Sequence, residues 1–508
     1  MQLVTKICEV NLSNLFRTKK LSDIIADSEK PEYKLKRSLN AFDLTTLGVG
    51  AIIGAGIFAM TGTAAAGGPG YAGAGPALVI SFILTAIACG FAALCYAEIA
   101  SMIPIAGSAY TYSYASLGEL IAWIIGWDLI LEYAVGNIAV AISWAGYFQE
   151  LVGGFGIHIP WYLVTDIRTA LSQPGLIETA PHVFGVPIVF NLFAILIVAF
   201  ITYILVRGIK ESATFNSVMV VIKIAILLFF IGVGAFYVKP ANWTPFAPNG
   251  WKGIQTGAAI VFFAYIGFDA ISTAAEETKN PSKTLPIGMI ASLAISTVLY
   301  IAVALVLTGL VPYTKLASAE PLALALHLIN LNWAAGIVAF GAVIATTAVL
   351  LVFQLGQPRI FFSMSRDGLL PPSFSKVHPK YRTPHVTTIL TGIFVAFFAA
   401  IANISEAAEL TNIGTLFAFI LVCAGVLILR VKEPDAKRGF RTPLVPAVPI
   451  LGMLSCFYLM LGLPEITWFR FVIWLAIGLV IYFMYGRWHS KLLTSETSSA
   501  GITEGEAK

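Results

Sequence analysis

The chain predicts an all-α integral membrane protein, and three observations carry the prediction. Of its 508 residues, 58% are hydrophobic and only 11% are charged, and the mean hydropathy is +0.85. Soluble domains are roughly a quarter charged. The apolar residues gather into twelve runs, each near the ~20 residues that cross a bilayer as a helix. Two of these runs, the first with four glycines in nine residues and the sixth with Gly267 between aromatics, read as interrupted at mid-membrane depth.

The twelve predicted spans run approximately over 42–66, 76–102, 119–151, 187–207, 214–238, 253–275, 287–311, 333–358, 386–402, 409–430, 445–463 and 470–487. The third is long enough to require tilt. An even number of spans puts both termini on one side, and charge says which. Of the 31 Lys and Arg residues, five (Arg168, Lys239, Lys252, Lys315 and Arg470) fall on one side and Lys223 falls within a span. The other 25 share a side with the termini, which the positive-inside rule makes cytoplasmic. A net charge of +4 is therefore a topology signal and implies no nucleic-acid partner. The leader 1–41 precedes the first span, and its stretch KLSDIIADSEK reads as either a short interfacial helix or a tail. The polar segment 488–508 reads as a cytoplasmic tail that is disordered from Thr494. Four of the five cysteines sit in apolar spans as small hydrophobes.

Span 1 reads FDLTTLGVGAIIGAGIFAM over Phe42–Met60. It places Gly48, Gly50, Gly54 and Gly56 within nine residues. Each glycine costs about 1 kcal/mol relative to alanine inside a helix, so the helix is expected to unwind at Gly54-Ala55-Gly56. Span 6 reads FFAYIGFDA over Phe262–Ala270. At 1.5 Å per residue, Gly54 and Gly267 lie about 18 and 21 Å from the start of their spans, near the middle of a core about 30 Å thick. Unwound backbone at that depth must line a cavity or be buried in protein. Two such helices, each first in a set of five and opposed in direction, point to inverted repeats. The predicted organisation is a first repeat over 42–238, an inverted second repeat over 253–430, and two added helices over 445–487.

The motifs then carry a family resemblance. The span-1 sequence, YAEIASMIPIAGSAYTYSY (Tyr96–Tyr114), GWDLILEY (Gly126–Tyr133), FFAYIGFDAISTAAEETKNPSKTLPIG (Phe262–Gly288) and RIFFSMSRDGLLP (Arg359–Pro371) resemble amino acid permeases of the amino acid–polyamine–organocation superfamily. Within it they are most similar to bacterial members of the cationic amino acid transporter subfamily. The resemblance covers roughly residues 36–490. It implies a LeuT-like 5+5 inverted-repeat core with discontinuous helices 1 and 6, and an L-amino acid as substrate.

A candidate site follows from the breaks. The half-helix after Gly54, Ala55 and Gly56 presents free N–H groups and a positive dipole end, a seat for a carboxylate. The bland alternative is a small-residue packing surface. Carbonyls of Ile52 and Ile53 in span 1, and of Phe262, Phe263 and Ile266 in span 6, are suited to an ammonium. The resemblance implies this arrangement and matches Phe263 to the family's aromatic gate.

Lys223, in SVMVVIKIAILLFF of span 5, is the most costly residue in the chain. A cation at membrane depth must be paired, solvated or neutralised. Similar proton-coupled permeases have a helix-5 lysine where relatives of the fold use sodium. Lys223 is therefore the candidate for proton coupling, with Thr346 and Thr347 of span 8 at a compatible depth. Asp128 and Glu132 share a face of span 3. Glu132 balances Lys223, contacts a cationic substrate, or bonds a neighbouring helix. Glu98 reads as an inner gate or ion-pair residue, and Asp269 as a cap for the second half of span 6.

The six histidines lie outside the breaks and show no metal-ligand spacing, so no metal is expected. No phosphate loop or nucleophile elbow exists. The chain is not expected to be an enzyme and needs no cofactor beyond a proton. The expected function is secondary active, proton-coupled symport of small, alanine-like L-amino acids across the plasma (inner) membrane. Cationic amino acid transport and exchange are the alternatives, and a non-transporting amino acid receptor is the reading from another class. Membrane lipids surround the protein, and the sequence assigns no protein partner.

Overall fold

The computed structural model describes residues 15–19, 39–68, 71–103, 108–171, 175–208 and 213–493. The leader stretch 20–30 and the tail from Thr494 lie outside them.

Helices dominate. Among the described residues, nine helical segments are long and apolar enough to cross a membrane, and they coincide with predicted spans 1, 2, 3, 5, 6, 7, 8, 10 and 12. Predicted spans 4, 9 and 11 contain shorter apolar helices, Leu192–Arg207, His385–Ile401 and Ala447–Met460. Span numbers are used below for the helices in those positions. Two hairpins of two-residue strands, at Gly67–Ala72 and His182–Pro187, are the only paired strands among the described residues.

Local chemistry sets where span 1 begins. Asn40 Oδ1 accepts from the N–H groups of Phe42 (2.8 Å) and Asp43 (3.1 Å), and Asp43 Oδ2 accepts from Asn40 N–H (2.9 Å). This reciprocal capping box satisfies the helix's first donors. Just before it, Leu39 is stitched to the far end of span 6: Leu39 N–H donates to Glu277 O (3.0 Å) and Lys279 N–H to Leu39 O (2.8 Å). Pro281 then opens span 7, a position where its missing N–H is no loss.

Burial sorts the spans into centre and periphery. In the most apolar 18-residue window of each, 94% of span 6, 89% of span 3 and 83% of span 1 is buried, against 33% for span 5 and 22% for span 12. The two spans expected to be interrupted are thus at the heart of the bundle, where non-helical backbone is tolerated. Span 5 packs on spans 1 and 8, and span 7 on spans 1 and 2.

Candidate functional site at the helix breaks

Both breaks are present. The first half of span 1 is an α-helix over Ala41–Ile52; Ile53 then turns extended (φ −77°, ψ 100°), and the chain resumes as a π-turn, Gly56–Met60, followed by Thr61–Ala66. Span 6 is α-helical to Val261, tightens through Phe262–Ala264, and turns at Gly267 (φ +119°). It continues over Asp269–Glu277 as a 3-10 helix rather than the α-helix expected. Phe268 occupies the cap position, and no side chain caps the turn. Asp269 therefore follows the cap instead of making it.

Glycine lets the two broken segments touch through backbone. A Cβ on Gly56 would stand 2.2 Å from Ala264 Cα, and one on Gly267 would stand 2.9 Å from the Ala51 carbonyl carbon. Gly267 also needs a positive φ that side-chain-bearing residues rarely adopt. Gly54 instead faces Val349 of span 8. Ile52, Ile53, Ala55, Phe262, Phe263 and Ile266 are all buried, and the two segments meet at Gly56 with Ala264 and at Gly267 with Ala51.

Ending a helix in mid-membrane leaves its last four carbonyls without intrahelical donors. In span 1 these belong to Gly50, Ala51, Ile52 and the cap residue Ile53; the bond before them is the helix's last. Val49 O accepts from the Ile53 N–H (2.9 Å). Gly50 O accepts from Lys223 Nζ (2.6 Å). Ile52 O accepts from the Tyr300 hydroxyl of span 7 (3.0 Å). Lys223 is fully buried, although its helix is mostly peripheral. An ammonium at the C-terminal end of a helix also meets the negative end of the dipole. Lys223 thus ties span 5 to the lip of the span-1 break.

The threonines of span 8 are engaged locally. Thr346 and Thr347 hydroxyls donate to carbonyls of their own helix, Ala342 O and Val343 O (both 2.7 Å), and Thr347 also accepts from the Trp144 indole N–H of span 3 (2.8 Å). On span 3, Glu132 lies in a π-turn, Leu131–Val135. Such turns are frequent at functional sites. Its carboxyl adjoins that of Asp269 across the interface, and both residues are buried. Glu98 is an ion-pair residue: Arg430 Nε (2.7 Å), Arg438 Nε (3.1 Å) and the Thr442 N–H (2.7 Å) all donate to its carboxylate.

Sequence reasoning passed over several polar residues that hold the breaks. Asn412 of span 10 donates from Nδ2 to the carbonyls of Ala259 (2.8 Å) and Ile260 (3.1 Å), just ahead of the span-6 break. Tyr147 of span 3 donates to Phe58 O (2.5 Å), just past the span-1 break. Tyr300 does the same at Ile52. Asn412 had a legible signal, a buried amide in an apolar run. The tyrosines had none, because buried tyrosine is ordinary in such a chain.

Comparison with known proteins accords with this architecture. A family model described as "Amino acid permease" matches residues 39–485, a range that contains both breaks and Lys223. The chain is 51% identical over 481 residues to a methylthioribose transporter of Bacillus subtilis, covering 95% of this chain and 100% of that protein. It is also 51% identical over 480 residues to the branched-chain amino acid permease BcaP of the same organism, covering 94% and 99%. A vacuolar cationic amino acid transporter 4 of Arabidopsis thaliana is 31% identical, with 95% and 97% covered. The chain belongs to the amino acid permeases of the amino acid–polyamine–organocation superfamily: it is a multi-pass membrane transporter of amino acids and not an enzyme.

Proposed function

We propose that the protein imports small neutral L-amino acids together with a proton, by alternating access around the paired breaks. The observation that carries this reading is the hydrogen bond from Lys223 Nζ to Gly50 O. It joins a titratable group to the one segment of span 1 that must move if the site is to open to the cytoplasm. Protonated Lys223 holds the first half of span 1 in place. Proton loss removes the charge, weakens the tie and lets the half-helix swing. Glu132, beside Asp269, supports this coupling from span 3.

The substrate's carboxylate sits at the N–H groups of Gly54, Ala55 and Gly56. Its ammonium meets carbonyls of Ile52, Ile53, Phe262, Phe263 and Ile266; a carbonyl has two lone pairs, so Ile52 can accept from both Tyr300 and the ligand. Phe263 closes over the substrate as its gate. Twelve spans, inverted repeats over 42–238 and 253–430, cytoplasmic termini and a plasma-membrane location complete the reading. The branched-chain permease and the methylthioribose transporter both support an uncharged tail in the ligand. The second of them makes a neutral thiosugar a specific competitor to test.

The test is a counterflow panel in proteoliposomes. Labelled alanine, valine, leucine, isoleucine, arginine and methylthioribose are compared with and without an inward proton gradient. Alanine or a branched-chain amino acid should accumulate only with the gradient. Sodium-dependent uptake that ignores pH would reject the coupling. Uptake that requires internal amino acid at every pH would make the protein an exchanger.

A further inference from the structure

Past the span-1 break, a short helix, Pro321–Leu328, lies over the outer half of span 1. The fit is close: a Cβ on Gly62 would stand 2.1 Å from Leu316 O and 2.6 Å from Pro321 Cβ. On the other flank, Tyr147 of span 3 holds Phe58 O. The short helix is therefore seated like a lid against the part of span 1 that follows the break.

The fastening is His327, in the lid's last turn. Its Nε2 lies against Glu150 Oε1 of span 3, and its Nδ1 lies 2.8 Å from Asn332 Oδ1 at the start of span 8. One imidazole thus joins the lid to two spans. Both ring nitrogens face oxygens. A carboxylate only accepts, and an amide oxygen only accepts. Neutral imidazole has a single N–H, whereas imidazolium has two. We propose that His327 is a titratable positioning residue that holds the outer lid shut in its imidazolium form. The side chains of His327 and Glu150 are 34% and 32% exposed, so protons reach the pair from the medium.

The other titratable groups facing this corner are Glu320 and Tyr147. Glu320 precedes the lid; it accepts from the Ser318 hydroxyl (2.7 Å) and packs on Gly146, one turn from Glu150. Burial pushes its carboxyl above the usual range, and the Glu150 charge pushes the same way. Glu320 therefore also takes up protons in acid, and its contribution has to be separated from that of His327. The lid is accordingly held most firmly when the imidazole carries both N–H groups and loosens when it carries one. The inference rests on the proposed topology, which makes this the external face. An external medium rich in protons then both drives import and favours closure behind the substrate.

The test needs no substrate and reads labelling rather than accumulation, each variant against its parent at the same pH, so its failure is separable from failure of proton coupling. Ala59→Cys, in the buried turn Gly56–Met60 that packs against the lid, is placed in a background without native cysteines. Labelling of intact cells by a membrane-impermeant thiol reagent is followed at external pH 8 and pH 5.5. Because thiol reactivity itself varies with pH, the readout is the ratio of rates between His327→Gln and its parent. That ratio should be near one at pH 8 and about two- to fivefold at pH 5.5, the range of partly exposed ion pairs. Glu150→Gln should behave alike, and Glu320→Gln should leave the His327 effect in place. Asn332→Asp adds a second carboxylate to the imidazolium and should slow labelling at pH 5.5. A ratio that is the same at both pH values, with no slowing in Asn332→Asp, would overturn the proposal and leave the transport reading standing.

Discussion

Replacing Lys223 tests the coupling idea most directly. Lys223→Met keeps the length of the side chain and removes the ammonium. Gly50 O then loses its donor at the end of a half-helix. A hydrogen bond to a charged group contributes about 1.5–3 kcal/mol, and 1.4 kcal/mol is a factor of about ten. The seated position of the half-helix should therefore lose between about tenfold and 150-fold in population relative to the released one. Lys223→Arg is the informative partner. Arginine keeps the donor and the positive end-of-helix charge but does not release its proton in proteins. In proteoliposomes, Lys223→Met should retain alanine counterflow and lose accumulation driven by an inward proton gradient. Lys223→Arg should hold the half-helix yet also fail to accumulate, because the tie no longer opens. Wild-type accumulation by Lys223→Arg would refute the reasoning, since it would show that charge suffices and titration is not needed.

Other outcomes follow from the same geometry. Phe263→Ala should raise the KM for alanine or uncouple uptake from the proton; unchanged uptake would remove its gate role. Gly267→Ala forces a side chain into φ +119° and toward the Ala51 backbone, at a cost of about 1–3 kcal/mol for the backbone alone; alanine binding measured by ligand-induced thermal shift should be lost. Tyr300→Phe leaves Ile52 O without its donor, which costs about 1–3 kcal/mol; it should weaken alanine binding more than it lowers the melting temperature. Glu98→Gln leaves buried Arg438 and its neighbour Arg430 without their carboxylate. Breaking a buried pair costs about 3–5 kcal/mol, so the melting temperature in detergent should fall while the purified protein's substrate preference stays the same.

The architecture was legible because membrane insertion constrains sequence heavily. Apolar runs announce helices, and a glycine cluster inside one announces a break. The positions of both interruptions, and the cost of Lys223, could be read residue by residue. Glu98 reads as an inner-gate or ion-pair residue, and the structure shows its ion pairs with Arg430 and Arg438. Asp269 misled, since aspartate at a helix start usually caps it, yet here the turn begins one residue earlier at Phe268. Thr347 was nominated by depth, and depth did not reveal that Trp144 of span 3 donates to its hydroxyl.

The sequence by itself determined that this chain is a bundle of membrane helices with two interrupted members, because hydropathy and helix propensity are local properties carried by neighbouring residues. Only the tertiary structure decided which groups close off the broken ends. Lys223 and Gly50 are 173 positions apart, and Tyr300 and Ile52 are 248 apart. An orphaned carbonyl states that it needs a donor; which donor arrives depends on how distant helices pack, and a local pattern holds no record of that.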